Sequence, residues 1–135
     1  VKLMLLRNKA EAARFVPLYA NASAADVPPF DIVILGMGND GHTASFFPGG
    51  DTLAQAIDPD TAQTLITIAA PGSGEPRLTF TLPVLLGASY IVLHIEGSDK
   101  RKTLDKAMGD GPVSDMPVRA VLRSVHPVVV YWCGG

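Results

Sequence analysis

The sequence predicts an α/β fold with a parallel sheet flanked by helices. Three observations carry that expectation. Short apolar runs rich in β-branched residues recur along the chain, segments of helical composition alternate with them, and the runs are near-continuously apolar rather than polar at every second position. With 135 residues, 47% of them hydrophobic and 18% charged, the chain has the apolar content for one core and not the length for two domains.

Taken in order, Val1 to Tyr19 is rich in Ala, Leu, Lys, Arg and Glu and reads as mostly helix, interrupted by Pro17. It begins in an apolar run with no capping residue before it, as a chain entered in mid-domain does. Asn21 to Pro29 is small, polar and proline-containing, and reads as a connection. Phe30 to Leu35 suits a strand covered on both faces and stops at Gly36. Thr64 to Ala70, Tyr90 to Ile95 and Val128 to Trp132 are strands of the same kind. Helices are expected at Asp51 to Ile57, Pro83 to Leu86, Ser98 to Met108 and Pro117 to Ser124. In the third, Leu104, Ala107 and Met108 recur at helical spacing, with Lys100, Arg101, Asp105 and Lys106 facing water. Parallel sheets bind ligands beyond the carboxyl ends of their strands, which directs attention to the loops after Leu35, Ala70 and Ile95.

Composition excludes several classes of partner. Eleven Lys+Arg against 13 Asp+Glu give a formal charge of −2, and no basic block is longer than Lys100 to Lys102. Nucleic acid and anionic membrane both need a concentrated positive field, so neither is expected. No run of 18 apolar residues and no signal-peptide pattern is present. The lone Cys133 forbids an internal disulfide and fits a reducing compartment, with the cytoplasm as the default.

The loop after the first strand, Gly36 to Ser45, reads GMGNDGHTAS. Its first six residues match the G-x-G-x-x-G pattern of dinucleotide sites. Against that reading, the next strand ends in Ala69 and Ala70 rather than an acidic residue, Pro48, Gly49 and Gly50 cut short any receiving helix, and an ionisable His follows the last glycine. A second reading uses every residue of the loop. The glycines let the backbone turn tightly, His42 presents an imidazole at the carboxyl edge of the sheet, and Asp40 orients that ring or stabilises its cation. That is the arrangement of a general base. The plainer alternative is a histidine at a helix start bonded to backbone.

The wider motif is more specific. Residues 30–49, FDIVILGMGNDGHTASFFPG, closely resemble the signature of the 6-phosphogluconolactonases. Residues 76–85, PRLTFTLPVL, resemble the family's second motif, and GSDK at 97–100 and MPVRAVL at 116–122 resemble its third and fourth. The resemblance implies a Rossmann-like three-layer sandwich of the sugar-phosphate isomerase/lactonase type, with helices on both faces of a parallel sheet. It implies a metal-free hydrolase without cofactor that opens 6-phospho-D-glucono-1,5-lactone to 6-phospho-D-gluconate in the oxidative pentose phosphate pathway. His42 matches the family's base, with Asp40 beside it. Amides of the loop, at Gly36, Gly38 and Gly41, become candidate donors to the substrate, and Arg77 and Lys100 match its phosphate-binding cations. Arg suits phosphate oxygens with its fork, and Lys100 lies in the first turn of an expected helix.

Other residues stay outside the site. His94 reads as a strand residue, His126 precedes Pro127, Cys133 has no partner motif, and Ser45 follows no G-x-S-x-G elbow. No spacing among the histidines and Cys133 makes a zinc site. Arg119 reads as a structural salt bridge. The related glucosamine-6-phosphate deaminases and isomerases carry a glutamate where this chain has Phe47, which disfavours aminosugar isomerisation. A non-catalytic sugar-phosphate sensor would normally be joined to a helix-turn-helix, absent here. Residues 1–135 match only a little more than the C-terminal half of the family's domain, so the sequence reads as one domain incomplete at its N-terminus.

Overall fold

The structure, a computed structural model, describes residues 6–18, 29–72 and 74–135. In chain order its elements are β1 (Ile32–Leu35), α1 (Leu53–Ala56), β2 (Leu65–Ile68), β3 (Arg77–Phe80), α2 (Leu82–Leu86), β4 (Tyr90–Glu96), α3 (Ser98–Met108), α4 (Val118–Leu122) and β5 (Val128–Cys133). Strands β1, β4 and β5 form a parallel sheet in the order β1-β4-β5, as the apolar runs predict. Register places Val33 opposite Ile91 and Leu35 opposite Leu93.

Side chains alternate across a strand, so Val33, Leu35, Ile91, Leu93 and Ile95 share one face. That face joins Leu53 and Ala56 of α1, Leu82 and Leu85 of α2, Leu104 and Ala107 of α3, and Val118 and Val121 of α4 in one core. The other face carries Ile32, Ile34, Tyr90 and Tyr131 exposed, Ile34 at 72%. Coverage of the strands on both faces therefore does not hold among the described residues, where the helices occupy one side. Met108 is exposed as well, since the packed stripe of α3 stops at Ala107.

Two further expectations are corrected. Residues 6–18 form a single 3-10 turn, Asn8–Ala10, with no buried residue, rather than an α-helix. Helical propensity alone rarely holds a short helix without burial of an apolar face, and none of residues 6–18 is fully buried. The rest of that expected helix, and most of the Asn21 to Pro29 connection, lie outside the described residues. The Thr64 to Ala70 strand forms as β2, but it pairs antiparallel with β3 in a separate hairpin. The link at 69–76 is too short for a parallel crossover, which takes a dozen or more residues. Arg77 thus opens β3.

Arg119 is structural but makes no salt bridge among the described residues. It is 3% exposed, and its guanidinium donates to the carbonyls of Lys106, Ala107, Asp110 and Pro112 at 2.7 to 3.2 Å. It caps the carboxyl end of α3, where carbonyls lack helical partners and the helix dipole favours a cation. Arg123 adds bonds to Gly109 and Gly111. Arg119→Met leaves four carbonyls without this donor and is expected to destabilise the fold by about 3 kcal/mol. Urea unfolding measures the loss, and a midpoint equal to wild type would refute the capping role.

Candidate active site

The loops after β1 and β4 meet because these strands are neighbours, and the cleft between them lies at their carboxyl ends. It encloses about 420 Å³ and is lined by Ile34, Leu35, Gly36, Met37, Gly38, His42, Ala44 and Lys100. His42, Gly36, Gly38 and Lys100 are therefore brought together, with Asp40 joined to them through His42.

The loop is held by its own hydrogen bonds. Gly38 N–H donates to the His42 carbonyl at 2.8 Å, Gly41 N–H to the Gly38 carbonyl at 3.0 Å, and the buried Thr43 hydroxyl to the Gly36 carbonyl at 2.7 Å. Val118 N–H reaches the Gly41 carbonyl at 2.9 Å and ties the loop to α4. The N–H groups of Gly38 and Gly41 are thus engaged within the loop, which they shape. Gly41 does not line the cleft. It takes φ +83°, and a Cβ there would lie 2.8 Å from Met116 Cβ. Gly38 allows the close approach of the catalytic candidates, since a Cβ on it would overlap the His42 ring and stand 2.5 Å from Asp40 Oδ1.

Asp40 Oδ1 accepts from the His42 backbone N–H at 3.0 Å and lies 2.7 Å from His42 Nδ1. Partial burial pushes the Asp40 carboxyl upward, but the His42 backbone N–H, the ring contact and the charge of the ring outweigh it, and the carboxyl is held below its ordinary value. The folded state therefore binds fewer protons than the unfolded chain in the acid range. The stability this confers is present above the ordinary carboxylate range and is lost as pH falls through the lowered value. At neutral pH an ionised Asp40 can only accept, so Nδ1 carries the shared proton and Nε2 is left as the basic atom.

The Phe47 ring stands 4.8 Å from the imidazole, tilted by 47°. The position that holds a carboxylate in the aminosugar enzymes thus presents an apolar face to the histidine here. Lys100 is half-buried in the first turn of α3. Arg101 pairs with Asp105 and Lys102 with Asp99, while Lys100 has no carboxylate partner among the described residues. Arg77 is exposed on the hairpin and does not line the cleft. His94 is exposed on the open sheet face, His126 borders a separate apolar groove, and Cys133 is an exposed free thiol. Among the described residues no cluster of His, Cys, Asp and Glu could hold a metal, and no helix is long and apolar enough to cross a membrane. Sequence reasoning missed the Phe47 contact and the Thr43 brace. Phe47, five residues after His42, was the available signal for the first, and the second had none.

Comparison with known proteins identifies relatives of this chain. The family model for glucosamine-6-phosphate isomerases/6-phosphogluconolactonase matches residues 4–132. The chain is 49% identical to a 6-phosphogluconolactonase of Rhizobium meliloti (strain 1021), with 95% of the chain and 61% of the relative covered. It is 48% identical to one of Mesorhizobium japonicum, with 95% and 59% covered. A crystal structure of a 6-phosphogluconolactonase from Shewanella baltica superposes with a TM-score of 0.84 at 34% identity, covering 97% of this chain and 61% of that one. The chain therefore spans about three-fifths of the length of these relatives. On the extent of the family match and these identities, the chain belongs to the glucosamine-6-phosphate isomerase/6-phosphogluconolactonase family.

Proposed function

We propose that the intact protein hydrolyses 6-phospho-D-glucono-1,5-lactone to 6-phospho-D-gluconate, the second step of the oxidative pentose phosphate pathway, with His42 as general base. The observation that carries this reading is that His42, paired with Asp40, shares one cleft with Lys100. His42 Nε2 takes a proton from water as the water oxygen attacks the lactone carbonyl. The tetrahedral intermediate collapses by breaking the bond to the ring oxygen, which leaves as the sugar hydroxyl after taking that proton back. Asp40 keeps the ring in the tautomer that makes Nε2 basic and stabilises the transient imidazolium. The substrate is a small sugar phosphate, and the reducing compartment suggested by the lone Cys133 agrees with a cytoplasmic reaction.

Lys100 and Arg77 supply the phosphate contacts in this reading. Lys100 already faces the cleft, and Arg77 enters through its match to the family motif. Lys100→Ala and Arg77→Ala are each expected to raise KM about tenfold with little change in kcat, because a phosphate remote from the reacting carbonyl is held equally in ground and transition states. An assay coupled to glucose-6-phosphate dehydrogenase, read above spontaneous hydrolysis, checks both variants. Unchanged KM in both would overturn the phosphate assignment. Aminosugar isomerisation is the weaker reading, since Phe47 offers no carboxylate to shuttle a proton beside His42. A binding-only module would leave the Asp40–His42 pair without a task.

A further inference from the structure

Trp132, the one tryptophan of the sequence, lies on β5 opposite Ile95 and so faces the helical side of the sheet. Its indole N–H donates to the Gly97 carbonyl at 2.9 Å. The same carbonyl accepts the Arg101 N–H at 3.2 Å, the first bond of α3, and Gly97 N–H donates to the Cys133 carbonyl at 2.9 Å. Gly97 takes φ +89° with nothing within 4 Å of a Cβ position. A glycine turn of this kind has no side chain to fix it, so its direction is set by what its backbone is tied to. A further contact comes from Arg101, whose guanidinium carbon is 5.4 Å from the Trp132 ring centroid, within the range of a cation–π contact. Arg101 directly follows Lys100.

These contacts bind the turn that carries Lys100 to the edge strand β5. We propose that Trp132 is the positioning residue for Lys100, holding the Gly97 turn so that the ammonium is presented to the cleft end that takes the substrate's phosphate monoester. The inference rests on the reading of Lys100 as a phosphate contact. It assigns Trp132 an effect on binding and none on proton transfer, because His42 is fixed by Asp40 and by short hydrogen bonds within its loop, whereas the bond from the α3 hydroxyl of Thr103 to the loop carbonyl of Asn39 is long, at 3.4 Å. Exposure of Trp132 at 42% fits a strap on the surface of the sheet edge more than a core anchor.

The test uses the intact protein. Trp132→Phe removes the N–H donor and keeps a ring beneath Arg101, whereas Trp132→Ala removes both. Trp132→Phe is expected to raise KM for the lactone, and Ki for 6-phosphogluconate, about fivefold, Trp132→Ala by more, with kcat within about twofold of wild type. In the Lys100→Ala background the Trp132→Phe change is expected to have no further effect on KM, since a residue acting through Lys100 cannot act without it. Unchanged KM in both Trp132 variants, with KM raised in Lys100→Ala, would overturn the role of Trp132 alone. Unchanged KM in Lys100→Ala would instead remove the phosphate reading beneath it. Additive effects in the double variant would show that Trp132 acts by another route, and would also overturn the proposal.

Discussion

Replacing His42 with alanine in the intact protein is expected to lower kcat for lactone hydrolysis about 10³-fold, within the range a positioned general base contributes. The uncatalysed attack of neutral water on a lactone carbonyl requires charge separation that an imidazole at the site removes. His42 can do this because Asp40, 2.7 Å from Nδ1, fixes which nitrogen is basic. Stability is expected to change little. The His42 side chain is about a third exposed, and the bonds that hold the loop run from backbone atoms and from Thr43. KM is expected to stay within about threefold, because the imidazole works on the water rather than on the phosphate. Circular dichroism and the thermal midpoint separate a chemical defect from unfolding. Turnover within tenfold of wild type in a folded His42→Ala protein would remove the base assignment. Asp40→Asn is expected to fall between the two, since the ring keeps a hydrogen-bonding neighbour but loses the anion that selects its tautomer.

Much of the sheet is legible because its strands are near-continuously apolar and are followed by glycines. Phe30 to Leu35 and Tyr90 to Ile95 show their type without reference to partners, and their register brings the two loops of interest together. The pairing of Thr64 to Ala70 is not legible in the same way. Its residues fit a parallel strand equally well, and the decision lies in the shortness of the link to β3, which reads as a loop because Arg77 follows glycine and proline. Over residues 6–18 the expected N-terminal helix fails for a related reason, since composition reports propensity and burial decides. At the site, the Asp-Gly-His order states which groups are present, but the hydrogen-bond pattern that commits the Gly38 and Gly41 amides to the loop appears only in three dimensions. Arg119 illustrates the same limit. Its charge suggests a carboxylate partner, and the fold supplies four carbonyls at a helix end instead.

Gly38→Ala is expected to cost about 10²-fold in kcat while leaving the protein folded, the scale associated with a displacement of about 1 Å in a catalytic group. Gly38 is absent from the glycines with positive φ, so alanine meets no conformational penalty there. What it meets is the His42 ring and Asp40 Oδ1, because the added methyl would occupy the space in which the pair forms. The backbone at 38 is tied to His42 by its own N–H, so the methyl cannot retreat without moving the histidine. Relief therefore comes from swinging the imidazole away from Asp40, which changes both the direction of Nε2 and the choice of tautomer. Gly41→Ala makes the opposite case. Its φ of +83° and the nearness of Met116 set the strain on the backbone and the core, so its expected effect is on stability, about 2 kcal/mol, with activity following the folded fraction. Denaturant midpoints and kcat measured on both variants separate the two mechanisms, and imidazole ¹⁵N shifts report whether the Asp40 bond survives. A Gly38→Ala protein with wild-type kcat would mean that the close packing of Gly38 against the pair has no part in catalysis, and that the Asp40–His42 geometry tolerates displacement that a general base aligned for proton transfer should not.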